Sequence, residues 1–236
     1  VCSSDLKSRI RYSETDPTGK LAPGGIVDYF QDCSVFQSEE LGVGVAYLAQ
    51  HKRAWLLSAW QIVINRLPAE CEKIAVSTWA SGFEKFHGSR NFTMETEDGE
   101  MLAYANSIWA YMDLEHQIPV KPTQEEIDRY KPEPPIIMEK QSKKIRIKAE
   151  WEEREPILVR KSWIDSNRHV NNSRYVKAAY NELPEGSNIR RIRVEYRKQA
   201  LEGDLLYPRY AKEEGRIVVA LCDKDQKPYA IVEFRA

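Results

Sequence analysis

RKSWIDSNRHVNNSRYV, residues 160–176, lies 149 positions after RYSETDPTGKLAPGGIV, residues 11–27, and the two stretches run in step. The shift pairs Arg11 with Arg160, Ser13 with Ser162, Asp16 with Asp165, Leu21 with Val170 and Val27 with Val176. Later segments match at smaller shifts. Ile62 falls on Val194 and Glu70 on Glu202 at 132, and Tyr104-Ala105 falls on Tyr229-Ala230 at 125. Loops that shorten between matched strands account for the drift, so the chain is expected to hold two similar domains.

Each copy has a helix first and strands after. In the first, Ile26, Tyr29, Phe30, Cys33 and Phe36 recur at helical spacing until Gly42 offers a stop. WLLSAWQIVINRL, KIAVSTWASGF, SRNFTMETEDG and EMLAYANSIWAYMDL follow, rich in β-branched and aromatic residues, with an Asp98-Gly99 turn between the last two. In the second, ILVRKSW suits a strand, Tyr175, Ala179 and Leu183 suit a helix from Asn172 to Pro184, and four further strands run to the C-terminus. Residues 119–156 combine prolines with dense charge and predict an exposed connector between domains 1–118 and 157–236.

Composition narrows the function classes. Hydrophobic residues are 42%, charged residues 30% and the net charge is −1, which describes a globular chain and excludes a strongly basic nucleic-acid binder. No apolar run approaches the roughly 18 to 20 residues of a membrane span, and no signal peptide can be placed at the polar N-terminus, so a cytoplasmic protein is expected. Cys2, Cys33, Cys71 and Cys222 are scattered and predict reduced thiols rather than disulfides or a zinc site.

Asp165, Asn167 and His169 stand two apart, so an extended segment would direct all three side chains to one face. A helix begins just beyond them, with Asn171 or Asn172 as N-cap, which puts the positive helix end beside the trio. That suits acyl transfer to water: the oxyanion of an ester or thioester meets the helix start, a neutral His169 is able to take a proton from water, Asp165 orients the ring or the water, and Asn167 holds water or carbonyl, while the residues alone do not assign whether Asp165 or His169 activates the water. The competing reading is that these are turn and capping residues. A metal site would need ligands from far away in the sequence. The first copy has Asp16, Thr18 and Lys20 at the same places, which leaves one copy for chemistry. The other, with Trp55, Trp60, Trp79 and Trp109, could lend an apolar interior to a long ligand.

DSNRHVNNSRYV is similar to the D-x-N-x-H-V-N-N-x-x-Y signature of the acyl-acyl-carrier-protein thioesterases, and VEYRKQA resembles that family's E-Y-R-R segment. The resemblance spans nearly the whole chain. It implies an α+β fold, the double hot-dog, in which two tandem helix-wrapped antiparallel sheets form one continuous sheet. It also implies a cofactor-free hydrolase of fatty acyl thioesters in fatty acid biosynthesis, with acyl carrier protein as the substrate carrier and Asp165, Asn167 and His169 at the family's catalytic positions. Plant members have Glu-Cys where this chain has Gln199-Ala200, which disfavours a cysteine nucleophile and leaves Gln199 as an auxiliary hydrogen-bonding group. The acidic carrier would need clustered cations, and Lys140, Lys143, Lys144, Arg146 and Lys148, or Arg190, Arg191, Arg193, Arg197 and Lys198, could supply them. Alternatives are an acyl-coenzyme A thioesterase and a non-catalytic acyl-chain binder. A homodimer is compatible with the sequence, and chain-length preference is not legible in it.

Overall fold

The computed structural model describes residues 4–236, so Cys2 lies outside the described residues. In chain order the elements are β1 (Ser4–Arg9), α1 (Pro23–Glu40), α2 (Val45–Gln50), β2 (Arg53–Ile64), β3 (Lys73–Glu84), β4 (His87–Thr96), β5 (Met101–Asp113), β6 (Ile118–Pro119), α3 (Gln124–Tyr130), β7 (Glu152–Glu153), β8 (Ile157–Leu158), α4 (Asn172–Tyr180), β9 (Arg191–Tyr196), β10 (Leu205–Glu213), β11 (Arg216–Cys222) and β12 (Pro228–Arg235). The strands form one antiparallel sheet in the order β1-β3-β4-β5-β2-β9-β12-β11-β10-β7, with β6 on β5 and β8 on β10. Among the described residues, no helix is long and apolar enough to cross a membrane.

Two compact units divide the chain: Val1–Ser58 with Ile64–Glu139, and Ala59–Val63 with Lys140–Ala236. In the first, α1 opens with Pro23, whose fixed φ suits a first helical position. Gly25 follows because a Cβ there would stand 2.5 Å from Leu21 Cδ1. β3 alternates, burying Ile74, Val76, Thr78 and Ala80. Side chains of α1 meet the backbone of that strand: Cys33 Sγ bonds Val76 O at 3.3 Å and Gln37 Nε2 bonds Thr78 O at 2.9 Å. Phe30 stacks on Phe92 with centroids 5.1 Å apart.

The second unit repeats the entry to its helix residue for residue. Short 3-10 turns occur at Tyr12–Glu14 and Lys161–Trp163, β-bridges at Thr15–Leu21 and Ile164–Val170, and the helices start at Pro23 and Asn172. Every one of these pairs keeps the 149-residue offset. The ladder of Ala59–Val63 on β9 pairs Trp60 with Val194 and Ile62 with Ile192, and the offset of 132 maps each of these pairs onto the other. Hence ILVRKSW is not a strand throughout: Ile157 and Leu158 pair with β10, and the rest forms the turn that precedes the motif.

Residues 119–156 are more than an exposed connector. Thr123 and Glu126 form a capping box that starts α3, and Glu126 and Tyr130 are buried in the first unit. In the second unit, Ile145, Ile147 and Trp151 pack against Val218, Ala220, Cys222 and Ile231, while Lys144, Arg146 and Lys148 face solvent. Carboxylates tie this strap down through its backbone. Glu195 accepts from Ile145 N–H, and Glu213 accepts from the N–H groups of Lys148 and Ala149.

Candidate active site

The stretch from Asp165 to His169 is a tight turn, not an extended segment, so the expected display of three side chains on one strand face does not occur. Asp165 N–H donates to His169 O at 2.9 Å and Arg168 N–H to Asp165 O at 3.0 Å. Arg168 takes a left-handed conformation, φ 64°, at the place where the first copy has Gly19, φ 72°. The physical reason is the Asp side chain: its Oδ1 accepts from Asn167 N–H at 2.8 Å and from His169 N–H at 3.4 Å, which favours a turn over a strand. Asp16 does the same for Thr18 N–H at 2.8 Å.

The turn delivers the chain straight into α4. Asn171 is the N-cap, its Oδ1 accepting from Ser173 N–H at 3.0 Å, so the positive end of the helix lies two residues beyond His169. Asp165 and His169 are half-buried and Asn167 is exposed. Both contacts of the Asp165 carboxylate with the backbone use Oδ1. His169 Nδ1 is enclosed and has no hydrogen-bond partner.

The VEYRKQA segment clamps this arrangement. Tyr196 OH donates to Asn172 O at 2.9 Å, in the first turn of α4. Val170 N–H donates to Ala200 O at 3.1 Å, and Ala200 N–H to the Tyr175 hydroxyl at 2.8 Å. Burial pushes the Tyr175 phenol up to about 12, and the Asp165 charge acts in the same direction. Glu195 is buried, pairing with Arg197 at 3.0 Å, while Lys198 pairs with Asp223. Gln199 is exposed, next to the Ala200 that bonds the motif. Sequence reasoning did not single out Tyr175 and Tyr196 as the groups that fix the helix start, although both stand inside the two motifs.

Two family models cover most of the chain. The acyl-ACP thioesterase N-terminal domain matches residues 4–130, and the acyl-ACP thioesterase C-terminal domain matches residues 146–227. The chloroplastic acyl-(acyl-carrier-protein) hydrolase FATB3 of Cuphea viscosissima is 26% identical over 197 residues, 77% of this chain. The chain spans about half the length of that relative, 48%. Among solved structures, an acyl-ACP thioesterase from Bacteroides thetaiotaomicron superposes with a TM-score of 0.90 at 25% identity, covering 99% of this chain and 97% of that one. The 12:0-ACP thioesterase of Umbellularia californica shares the fold, with a TM-score of 0.84 at 16% identity over 100% of this chain and 97% of that one. With both domain models matched in order, the chain belongs to the acyl-ACP thioesterase family.

Proposed function

We propose that this protein hydrolyses fatty acyl thioesters carried on acyl carrier protein, releasing the free fatty acid. The observation that carries the reading is the D-x-N-x-H turn held against the start of α4 in a chain where both family domains match in order. Asp165 spends Oδ1 on the turn and keeps Oδ2 for a water molecule. His169 has no acceptor at Nδ1, so a proton there would go unsatisfied; the ring carries it on Nε2 and donates to the thioester oxygen. Water attacks the carbonyl carbon and gives its proton to Asp165, and the positive end of α4 stabilises the oxyanion. Collapse expels the thiolate, which takes that proton. Asn167, on the open side of the turn, holds water or carbonyl, and Gln199 adds a neutral hydrogen bond.

The exposed cations Lys140, Lys143, Lys144, Arg146 and Lys148 suit an acidic carrier protein. Free thiols at Cys33, Cys71 and Cys222 support a reducing, cytoplasmic setting. The test is parallel hydrolysis of the same graded acyl chains on acyl carrier protein and on coenzyme A, with His169→Ala as control. Turnover of the carrier-protein esters that disappears in His169→Ala is expected. Equal or faster turnover of coenzyme A esters would reassign the substrate, and binding without release at any chain length would leave an acyl-chain binder.

A further inference from the structure

The edge of the second unit beside the Asp165 turn repeats an edge of the first unit bond for bond. In the first, Leu21 N–H donates to Pro68 O, Ile10 N–H to Glu72 O, Cys71 N–H to Ile10 O and Glu72 N–H to Ala69 O. In the second, in the same order, Val170 N–H donates to Ala200 O, Val159 N–H to Asp204 O, Gly203 N–H to Val159 O and Asp204 N–H to Leu201 O. The side-chain brace is kept as well: Glu72 Oε2 accepts from Ala69 N–H at 2.8 Å, and Asp204 Oδ2 accepts from Leu201 N–H at 2.9 Å. The offset is 149 before the helix and 132 after it, so every position on this edge has one counterpart.

On this common backbone the outward side chains differ in kind. In the first unit Arg9 stands opposite Lys73 in the ladder and Ala69 opens the turn, and all three are exposed. At the same places in the second unit Leu158 stands opposite Leu205 and Leu201 opens the turn. The three leucines are 52%, 43% and 51% exposed in that order, so they do not fill the core, and the first unit shows that the frame forms without them. Neighbouring leucines left in water mark a surface that another molecule covers. Exposed Arg160 and Lys161 follow close behind Leu158, and exposed Arg168 stands in the turn, against exposed Glu155 and Glu202. Through the bond from Val170 N–H to Ala200 O, the residue before Leu201, the patch adjoins the turn that carries Asp165 and His169.

We propose that the edge formed by Leu158, Leu201 and Leu205 is the seat on which the acyl carrier protein docks. This rests on the hydrolytic reading, which requires the carrier to dock within reach of the Asp165 turn. An acidic partner with an apolar contact face matches leucines flanked by cations, whereas a second copy of the chain, meeting the patch about a two-fold axis, would set the same cations against one another. The strap cations strengthen the field that draws the carrier in, and the leucines fix where it rests.

The experiment measures two things for the native chain, Leu158→Gln/Leu205→Gln and Arg160→Glu/Lys161→Glu: binding of fluorescently labelled carrier protein bearing its phosphopantetheine arm, by anisotropy, and turnover of one acyl chain on carrier protein and on N-acetylcysteamine. Both variants should weaken carrier binding about ten-fold or more and raise KM for the carrier ester in step, with kcat and the N-acetylcysteamine ester within about two-fold of native. Leu201→Ala, which installs the first unit's residue, should weaken binding about three-fold or more and keeps the proposal testable if a double variant fails to fold by circular dichroism. Carrier binding that is absent from the native chain or unchanged in the folded variants would overturn the proposal, as would equal losses on both esters. A native dimer in analytical ultracentrifugation that Leu158→Gln/Leu205→Gln dissociates would overturn it too, by giving the patch to a second copy. Carrier binding that weakens as expected in a chain that hydrolyses neither ester supports the seat and removes the hydrolytic reading alone.

Discussion

Asp165 and Asp16 occupy equivalent turns but differ in the polar groups beside them: Asn167 and His169 accompany the first, Thr18 and Lys20 the second. Substitution separates the two duties of Asp165. Asp165→Asn keeps an acceptor for the backbone N–H groups and loses the basic oxygen, so the fold should survive while hydrolysis falls by about 10²–10⁴-fold, the range of a lost proton-transfer group. Asp16→Ala should do the reverse, losing about 1 kcal/mol with hydrolysis per folded molecule unchanged. Urea unfolding together with acyl-carrier-protein turnover checks both, and an Asp165→Asn variant at native rate would remove the carboxylate from the mechanism. The turn itself was legible from the repeat, because Pro17 and Gly19 in the first copy are turn residues aligned on Ser166 and Arg168. Two-residue spacing considered by itself favours a strand; the backbone N–H groups that the Asp165 carboxylate accepts make the segment a turn instead.

Among the elements, both long-range helices and the main strands follow from apolar period alone, whereas the connector does not. Its mean composition is charged, so the alternation Ile145, Ile147, Trp151 against Lys144, Arg146, Lys148 is diluted by the surrounding prolines and lysines. α3 had a local signal in Thr123-x-x-Glu126, and the structure uses it as a capping box. The strap matters energetically because it covers one face of β11 and β12 that would otherwise expose Val218, Ala220 and Ile231. Ile145 is 4% exposed, and Ile145→Ala should cost about 2–5 kcal/mol, the usual range for a buried Ile cut to Ala. An exposed linker would tolerate the change within about 0.5 kcal/mol, so the urea midpoint of this one variant decides between strap and linker.

Ionisable groups across the whole molecule set the pH range of the fold in opposite directions. At the alkaline end, burial pushes Tyr29, Tyr175 and Tyr229 from 10.0 up to about 12, with Glu14 adding to the effect on Tyr29 and Asp204 on Tyr229; burial and Glu126 raise Tyr111 further. The folded state thus favours the neutral phenols. Their contribution is fully present below pH 10, where the unfolded chain is also protonated, and is lost as pH rises from 10 toward 12 and the unfolded chain gives up protons first. At the acid end the sign reverses. Backbone N–H of Lys148 and the Arg216 side chain hold Glu213 down at about 2 instead of 4.5, and backbone N–H of His116 holds Asp113 at about 2 instead of 3.8. That stabilisation is complete above pH 4.5 and lost as pH falls toward 2, because protonated carboxyls release the strap backbone at Lys148 and Ala149. Urea midpoints recorded from pH 2 to 12 should therefore show a plateau from about pH 5 to 9 with a falling limb on each side. Glu213→Gln should flatten the acid limb, since the amide still accepts hydrogen bonds but no longer titrates, and Tyr175→Phe should flatten the alkaline limb while lowering the plateau by the lost Ala200 bond. An alkaline limb as steep in Tyr175→Phe as in the native chain would show that Tyr175 does not contribute to it.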